Sequence, residues 1–81
     1  MKLKVKFFAA ARDMTGTEEI TITVPDHSTS SDLLAILFTG YPRLAQLKDY
    51  LRIAVNWEYV SLAHPLADDD EVAVIPPVSG G

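Results

Sequence analysis

The chain opens with an alternation of apolar and polar residues that predicts two strands. In residues 2–8 the apolar Leu3, Val5 and Phe7 alternate with lysines, and residues 19–24 repeat the pattern with isoleucine and valine. A period of two is typical of a strand with one buried face. We expect these two strands to form an antiparallel pair at the start of a sheet.

A helical spacing of apolar residues follows the second strand. Residues 28–38 are predicted to form the main helix, with Ser28 or Thr29 as its N-cap and Asp32 near the positive end of the helix dipole. Three apolar residues are predicted to form its buried face, namely Leu33, Ile36 and Leu37. The sequence therefore predicts one amphipathic helix after the first two strands.

Weaker signals lie on either side of this helix. Residues 9–14 predict one short helical turn, and Gly16 can supply the left-handed position where that turn reverses. Gly40 and Pro42 are expected to end the main helix. Residues 42–50 hold either a second, shorter helix or an irregular turn, and the spacing of their leucines leaves both open.

Three more short apolar runs complete an α+β order of ββαβββ. They cover residues 52–55, 59–62 and 71–75, and polar segments separate them. A chain of 81 residues is too short to support two cores. The sequence therefore predicts one domain over residues 1–75, followed by an extended tail of residues 76–81.

Composition and charge narrow the possible functions. The formal net charge of −4 and the pI near 4.8 argue against nucleic acid as a partner, because phosphate contacts need a concentrated lysine and arginine surface. Without cysteine the chain has no disulfide, no thiolate metal site and no thiol nucleophile. The longest apolar run, residues 33–38, is far shorter than the roughly 20 residues that span a bilayer. We expect a cytoplasmic protein that binds no membrane.

Other groups that could carry chemistry have simpler interpretations. The acidic residues 68–71 have neither the ligand spacing nor the glycine of a calcium loop, so we expect a solvated turn and no metal site. His27 and His64 lie in separate turn-like segments without a nucleophile motif beside them. We therefore expect neither independent catalysis nor a permanently bound cofactor.

The tail is the most informative part of the sequence. Pro76 and Pro77 remove two amide donors and favour an extended conformation, so we expect the chain to leave the sheet there as a flexible tail. Six residues could reach about 20 Å. Gly80 and Gly81 lack a Cβ and could pass through a channel as narrow as a backbone. This design would deliver the chain terminus into a pocket of another protein.

The carboxylate of Gly81 would then be the reactant. Adenylation by ATP would convert it into a mixed anhydride, which a sulfur nucleophile could turn into a thiocarboxylate. By itself a terminal Gly-Gly pair is more typical of a frayed chain end. The small domain and the two prolines that precede the pair favour the reactive tail.

Three motifs give the chain a family resemblance. They are Phe7-Phe8-Ala9 with Arg12 and Gly16, then Val55-Asn56 with Glu58-Tyr59-Val60, and finally Leu66 with Asp68, Asp70-Glu71-Val72 and the tail from Pro76 to Gly81. Together they resemble the small subunit of molybdopterin synthase, the MoaD type of ubiquitin-like sulfur carrier, from end to end. Two residues depart from that pattern, because the family often has glycine where Asp69 stands and a small or polar residue where Trp57 stands.

The resemblance implies a fold and a reaction. The fold would be a ubiquitin-like β-grasp, a mixed sheet of about five strands wrapped on one main helix, with the first and last strands parallel at its centre. Gly81 would be the catalytic group, which is adenylated, converted to a thiocarboxylate and used to donate sulfur to precursor Z as the molybdopterin dithiolene forms. The chain would be non-catalytic alone, with the catalytic residues on the large synthase subunit.

The resemblance also implies two partners. One is a ubiquitin-activating-like adenylating enzyme that uses ATP, and the other is the large synthase subunit. With the large subunit, the chain would form a heterotetramer of two small and two large subunits. The residues expected to bind partners are Phe8, Arg12, Ile75, Pro76, Pro77, Val78, Ser79 and Gly80. Phe8 is expected to point outward while Phe7 enters the core. Arg12 would meet an acidic group of a partner, or else be a solvated surface residue.

Other functions stay open at this point. The chain could be a protein modifier that joins Gly81 to lysine amines, a sulfur carrier for thiamine or tRNA thiolation, or an interaction module with an inert tail. The segment Phe7-Phe8-Ala9 and Arg12 look more like the molybdopterin branch of the carriers.

Overall fold

A computed structural model describes residues 1–77, which form a five-stranded mixed sheet with helices packed on it. The strands are β1 (Lys2–Phe7), β2 (Glu19–Thr23), β3 (Arg52–Val55), β4 (Glu58–Val60) and β5 (Glu71–Ile75). The helices are α1 (Ala9–Thr15), α2 (Ser30–Gly40) and a 3₁₀ helix (Pro42–Leu47). The element order confirms the predicted ββαβββ pattern and its α+β class.

The first and last strands lie side by side at the centre of the sheet. The strand order is β2-β1-β5-β3-β4, and β1 and β5 run parallel, with Val5 opposite Val72 and Phe7 opposite Val74. The other three strand pairs are antiparallel, including the predicted pair of β1 and β2. This is the topology of the expected β-grasp.

One face of the sheet and one face of α2 form the core. The alternation in β1 buries Leu3, Val5 and Phe7, as predicted. The other principal members are Leu33, Leu34, Leu37, Leu44, Ile53, Val55, Leu66, Val72 and Val74. Burial of this apolar surface is the main force that holds the helix on the sheet.

The start of α2 is fixed by a reciprocal pair of hydrogen bonds. Thr29 is the N-cap, and its hydroxyl accepts a hydrogen bond from the backbone N–H of Asp32 at 3.2 Å. The Asp32 carboxylate in turn accepts from the Thr29 N–H at 2.9 Å. This capping box selects Thr29 over Ser28 as the N-cap and satisfies two amides at the helix start.

The buried face of α2 differs by one residue from the prediction. Leu33 and Leu37 are fully buried as expected, but Leu34 joins them and Ile36 is only partly covered. A helix on a sheet buries an apolar stripe about 100° wide, so the sequence spacing alone leaves its edge undefined. The way α2 packs on the sheet leaves Ile36 at the edge of the buried stripe.

Two turns around the helices test the glycine predictions. Gly16 takes the predicted left-handed conformation at φ 75°, and its N–H donates to the Arg12 carbonyl at 2.8 Å. Gly40 is the last residue of α2, so the helix ends at the predicted glycine, slightly beyond the predicted Phe38. Tyr41 is the C-cap, and Pro42, which has no N–H, begins the 3₁₀ helix.

The boundaries of β4 were also predicted wrongly. The strand covers Glu58–Val60, whereas the sequence pattern suggested residues 59–62. The connection from β3 contains only Asn56 and Trp57, so Val55 pairs directly with Glu58. Leu62 lies beyond the strand with 53% of its surface exposed.

We predict that Leu37→Ala lowers the free energy of unfolding by about 2–5 kcal/mol, because Leu37 is only 1% exposed and its truncation leaves a cavity in the core. Chemical denaturation measures the change. The matched control is Leu62→Ala, which removes the same atoms from an exposed site and should change stability by about 0.5 kcal/mol or less. Equal losses in both variants would contradict the assigned helix face.

Candidate functional site

The outer face of the sheet, opposite α2, carries an apolar groove whose floor consists of two alanines. Ala54 of β3 and Ala73 of β5 are direct cross-strand partners. Their methyl groups are too short to fill the space between the larger side chains around them, so a depression forms. Both alanines are nevertheless buried, because the surrounding side chains stand above them.

Larger side chains and the end of the last strand form the walls of this groove. The groove has a volume of about 650 Å³ and is lined by Phe8, Ala9, Ala10, Ala54, Trp57, Tyr59, Ala73, Ile75, Pro76 and Pro77. Three of the lining residues, Phe8, Trp57 and Tyr59, are aromatic side chains exposed to solvent. A contiguous exposed apolar surface of this kind marks a binding site for another molecule.

The two adjacent phenylalanines have opposite roles, as predicted. Phe7 is in the core, where its ring meets Tyr41 edge to face with 5.8 Å between the ring centroids. Phe8 is 41% exposed and forms part of the groove wall. Its backbone N–H donates to the Val74 carbonyl at 3.3 Å, which continues the pairing of β1 with β5 by one residue.

The predicted tail begins at this groove. Ile75 is the last residue of β5, and Pro76 and Pro77 follow it along the groove wall. Pro76 is buried and Pro77 is exposed. The predicted partner-binding residues Val78, Ser79 and Gly80, and the predicted reactive Gly81, lie outside the described residues.

Arg12 is not part of the apolar groove. Its guanidinium forms an exposed ion pair with Glu18 at 3.3 Å, and an exposed pair of this kind contributes little to stability. The side chain lines a separate charged crevice together with Lys6, Phe7, Phe8, Glu18, Glu19 and Trp57. The structure therefore brings Phe8, Ile75, Pro76 and Pro77 together and places Arg12 beside them on the far side of Phe8 and Trp57.

Charged side chains of the sheet contact two of the groove's aromatic rings. The Lys6 ammonium lies 5.2 Å from the centroid of the Trp57 ring and forms an ion pair with Glu71 at 2.6 Å. The hydrogen bond to the Glu71 carboxylate raises the pKa of Lys6 above its ordinary value of 10.5. Arg52 lies 4.3 Å from the centroid of the Tyr59 ring.

The acidic run before β5 holds the loops around the sheet together. The Asp70 carboxylate accepts hydrogen bonds from the Ala67 N–H at 2.8 Å and from the Asn56 side-chain amide at 2.9 Å. Asp69 takes a left-handed conformation at φ 67°, which explains how it can occupy a position where the family often has glycine. Within residues 1–77 no group of three or more histidine, aspartate and glutamate side chains could hold a metal ion.

Sequence analysis missed the floor and part of the wall of the groove. Ala54 and Ala73 were not singled out, Tyr59 was named only as part of a family motif, and Trp57 was noted only as a departure from the family pattern. One signal was available for Ala73, since β5 reads as a continuous apolar run where a half-exposed strand should alternate.

No helix in the described part of the chain is both long and apolar enough to cross a membrane.

Comparisons with known proteins agree with this fold and extend over the whole chain. The ThiS family model matches residues 5–81. The molybdopterin synthase sulfur carrier subunit of Chlamydomonas reinhardtii is 40% identical over 83 residues, and the match covers 100% of both chains.

Two solved structures confirm the ubiquitin-like β-grasp. SAMP1 from Haloferax volcanii has a TM-score of 0.88 at 28% identity, covering 100% of both chains. A chain in the complex of subunits 1 and 2 of the molybdopterin-converting factor from Helicobacter pylori has a TM-score of 0.73 at 29% identity, also covering 100% of both. The chain therefore belongs to the ThiS family, in which its full-length curated relatives include molybdopterin synthase sulfur carrier subunits.

Proposed function

We propose that this chain is the sulfur-carrying small subunit of molybdopterin synthase and that the carboxylate of Gly81 carries the sulfur. The observation that most directly supports this proposal is the continuity between the apolar groove and the start of the tail. Ile75, Pro76 and Pro77 form one wall of the groove, so a partner that receives the tail also meets an exposed apolar surface. The full-length similarity to carrier subunits favours the same function.

In the proposed reaction an adenylating enzyme, similar to those that activate ubiquitin, uses ATP to activate the Gly81 carboxylate. A carboxylate oxygen attacks the α-phosphorus of ATP, and pyrophosphate leaves. Hydrosulfide, or a donor that delivers sulfur at the oxidation level of sulfide, then attacks the acyl carbon, AMP leaves, and a thiocarboxylate remains. The chain itself contributes the tail and the docking surface, and it needs no bound cofactor.

The large synthase subunit is the proposed recipient of the loaded tail. It would cover the groove and place the thiocarboxylate beside precursor Z, which accepts the sulfur in the formation of the dithiolene. The related Helicobacter pylori structure is a complex of subunits 1 and 2 of the molybdopterin-converting factor, which supports a complex of this kind. A dithiolene contains two sulfur atoms, so two loaded chains would be consumed for each molybdopterin.

We further propose that the working complex is a cytoplasmic heterotetramer of two small and two large subunits. The described residues of the small subunit offer no acid–base pair at the groove, because its lining is apolar and aromatic. General acids and bases for the transfer step would then come from the large subunit. Arg12, at the neighbouring crevice, would meet an acidic group of a partner only if its ion pair with Glu18 opens.

A second candidate function is protein modification through an isopeptide bond between Gly81 and lysine. The likeness to SAMP1 favours this candidate, because the same protein is described in another structure as small archaeal modifier protein 1. Intact-mass analysis of the chain from its native cell distinguishes the two functions. Replacement of one oxygen by sulfur identifies a carrier, and a branched adduct on other proteins identifies a modifier. Sulfur delivery to thiamine or tRNA would give the same mass and must be separated by the acceptor that gains sulfur.

We predict that deletion of Gly81, or Gly81→Phe, abolishes sulfur loading and molybdopterin formation in a reconstituted system. The thermal unfolding midpoint should stay within about 2 °C of the unmodified chain, because a terminal tail contributes little to a core. Mass spectrometry measures loading, and circular dichroism measures unfolding. Molybdopterin formation by the shortened chain would show that the Gly81 carboxylate is not the carrier.

We predict that Ile75→Asp weakens binding of the large subunit by more than removal of Gly80 and Gly81 does. An aspartate at position 75 would lose its hydration within the apolar groove, which costs binding free energy. The tail loses conformational freedom when the partner orders it, and this entropy cost offsets part of the energy of its contacts. Isothermal calorimetry gives both affinities.

Leu62→Asp is the control for this comparison, because Leu62 is an exposed apolar residue that does not line the groove. It should leave the affinity nearly unchanged. If removal of the glycines has the larger effect, the tail and not the sheet surface holds the complex together.

A further inference from the structure

Backbone strain in this protein coincides with the apolar groove. Among the described residues, five that are not glycine have positive φ angles: Ala9, His27, Asn56, Trp57 and Asp69. Asparagine, aspartate and histidine tolerate this region better than other residues. The remaining two, Ala9 at 48° and Trp57 at 73°, both line the groove. Strain of this kind clusters at functional sites, where the surrounding structure maintains it.

The strain at Trp57 comes from the hairpin between β3 and β4. Asn56 and Trp57 alone make the turn, and both have positive φ angles, which is the pattern of a type I′ turn. Its second central position favours glycine, because a Cβ there approaches the neighbouring backbone. A tryptophan at this position is therefore unfavourable for the turn itself.

Hydrogen bonds of the preceding residue keep the turn in place. The Asn56 side chain donates to the Asp70 carboxylate at 2.9 Å and accepts from the Glu71 N–H at 3.1 Å, and its own N–H donates to the Glu71 carbonyl at 2.8 Å. These bonds attach the turn to the start of β5. They hold Trp57 at a defined position above the outer face of the sheet.

The fold gains little from the indole that it holds there. Trp57 is 72% exposed and does not belong to the core, and the Lys6 ammonium lies 5.2 Å from the centroid of its ring. A cation–π contact at an exposed site is weak. Like Phe8, Trp57 lines both the apolar groove and the charged crevice, so these two side chains form the wall that divides them.

We propose that Trp57 determines partner specificity at this groove and is a principal contact of the large synthase subunit. This inference rests on the proposed function. Tryptophan is enriched among the few residues that supply most of the binding energy of an interface. It supplies this energy when the partner covers its ring. The ring, which a strained turn holds in solvent in the free chain, gains its stabilising contacts in the complex.

The surroundings of Trp57 describe the partner surface that it selects. The crevice behind the ring contains two carboxylates, Glu18 and Glu19, and two cations, Lys6 and Arg12. Lys6 pairs with Glu71, and Arg12 pairs with Glu18. The charges beside the ring are therefore mixed and largely paired within the chain, so apolar contact is what the site offers. The matching surface is an apolar ridge that fills the groove and covers the indole ring.

The sequence allows a direct test, because Trp57 is its only tryptophan. Growth with 5-fluorotryptophan therefore labels one position, which fluorine NMR observes alone even when an unlabelled large subunit is added. We expect the resonance of the free chain to show the solvent isotope shift of a hydrated ring, and this shift to fall by at least about half in the complex. A resonance that is unchanged in a complex proved by calorimetry overturns the proposal.

Two substitutions test the balance between folding and binding. Trp57→Gly and Trp57→Asn both suit a left-handed turn position and remove the ring. Each should weaken binding of the large subunit by about tenfold or more, without lowering the unfolding midpoint. Tyr50→Ala is the control, because Tyr50 is 62% exposed but does not line the groove, and its affinity should stay within about twofold of the unmodified chain.

The outcomes separate this inference from the function on which it rests. If the unmodified chain does not bind the large subunit, the proposed function fails and the inference fails with it. If the unmodified chain binds and both Trp57 variants bind equally well, only the role of Trp57 is overturned. If both variants lower the unfolding midpoint, Trp57 is a structural residue and the proposal is again wrong.

Discussion

The parallel pairing of β1 with β5 is the constraint on which the rest of this structure depends. It joins strands from opposite ends of the chain, with Lys4 opposite Glu71 and Phe7 opposite Val74. Because the paired strands point the same way, the residues that leave them emerge at the same end of the sheet. Phe8 after β1 and Pro76 after β5 therefore meet, and an apolar surface forms where the tail begins.

The same pairing leaves the two faces of the sheet with different roles. The connections between strands place α2 on one face, where β-branched and leucine side chains fill the core. The other face is divided between the lysines of β1 and the apolar residues of β3 and β5. Alanine at the two central positions keeps this second face concave. A larger residue at Ala54 or Ala73 would fill the groove without adding to the core, so the small size of these two residues keeps the groove open.

Local strain and long-range hydrogen bonds act together at the margin of the groove. Asn56 satisfies its own polar groups through Asp70 and Glu71, and in doing so it holds Trp57 in a conformation that the turn alone would not favour. The acidic run, which in the sequence looks like a solvated turn, is thus part of the support of the binding surface.

The sequence by itself determined most of the fold, and the extended tail of residues 76–81 stays a prediction. The alternation in β1 and β2, the helical spacing of Leu33 and Leu37, and the left-handed Gly16 depend on local periodicity and backbone preferences, and the structure confirms them. The β4 boundaries failed because the polar Glu58 looks like part of the turn and the apolar Leu62 looks like part of the strand, whereas the pairing with β3 begins at Glu58 and ends at Val60. The end of α2 at Gly40, directly before Tyr41 and Pro42, also follows from local backbone preferences. Only the tertiary structure decided that Ala54 and Ala73 lie side by side beneath Trp57 and Tyr59, because that neighbourhood depends on strand register between residues that lie far apart in the chain.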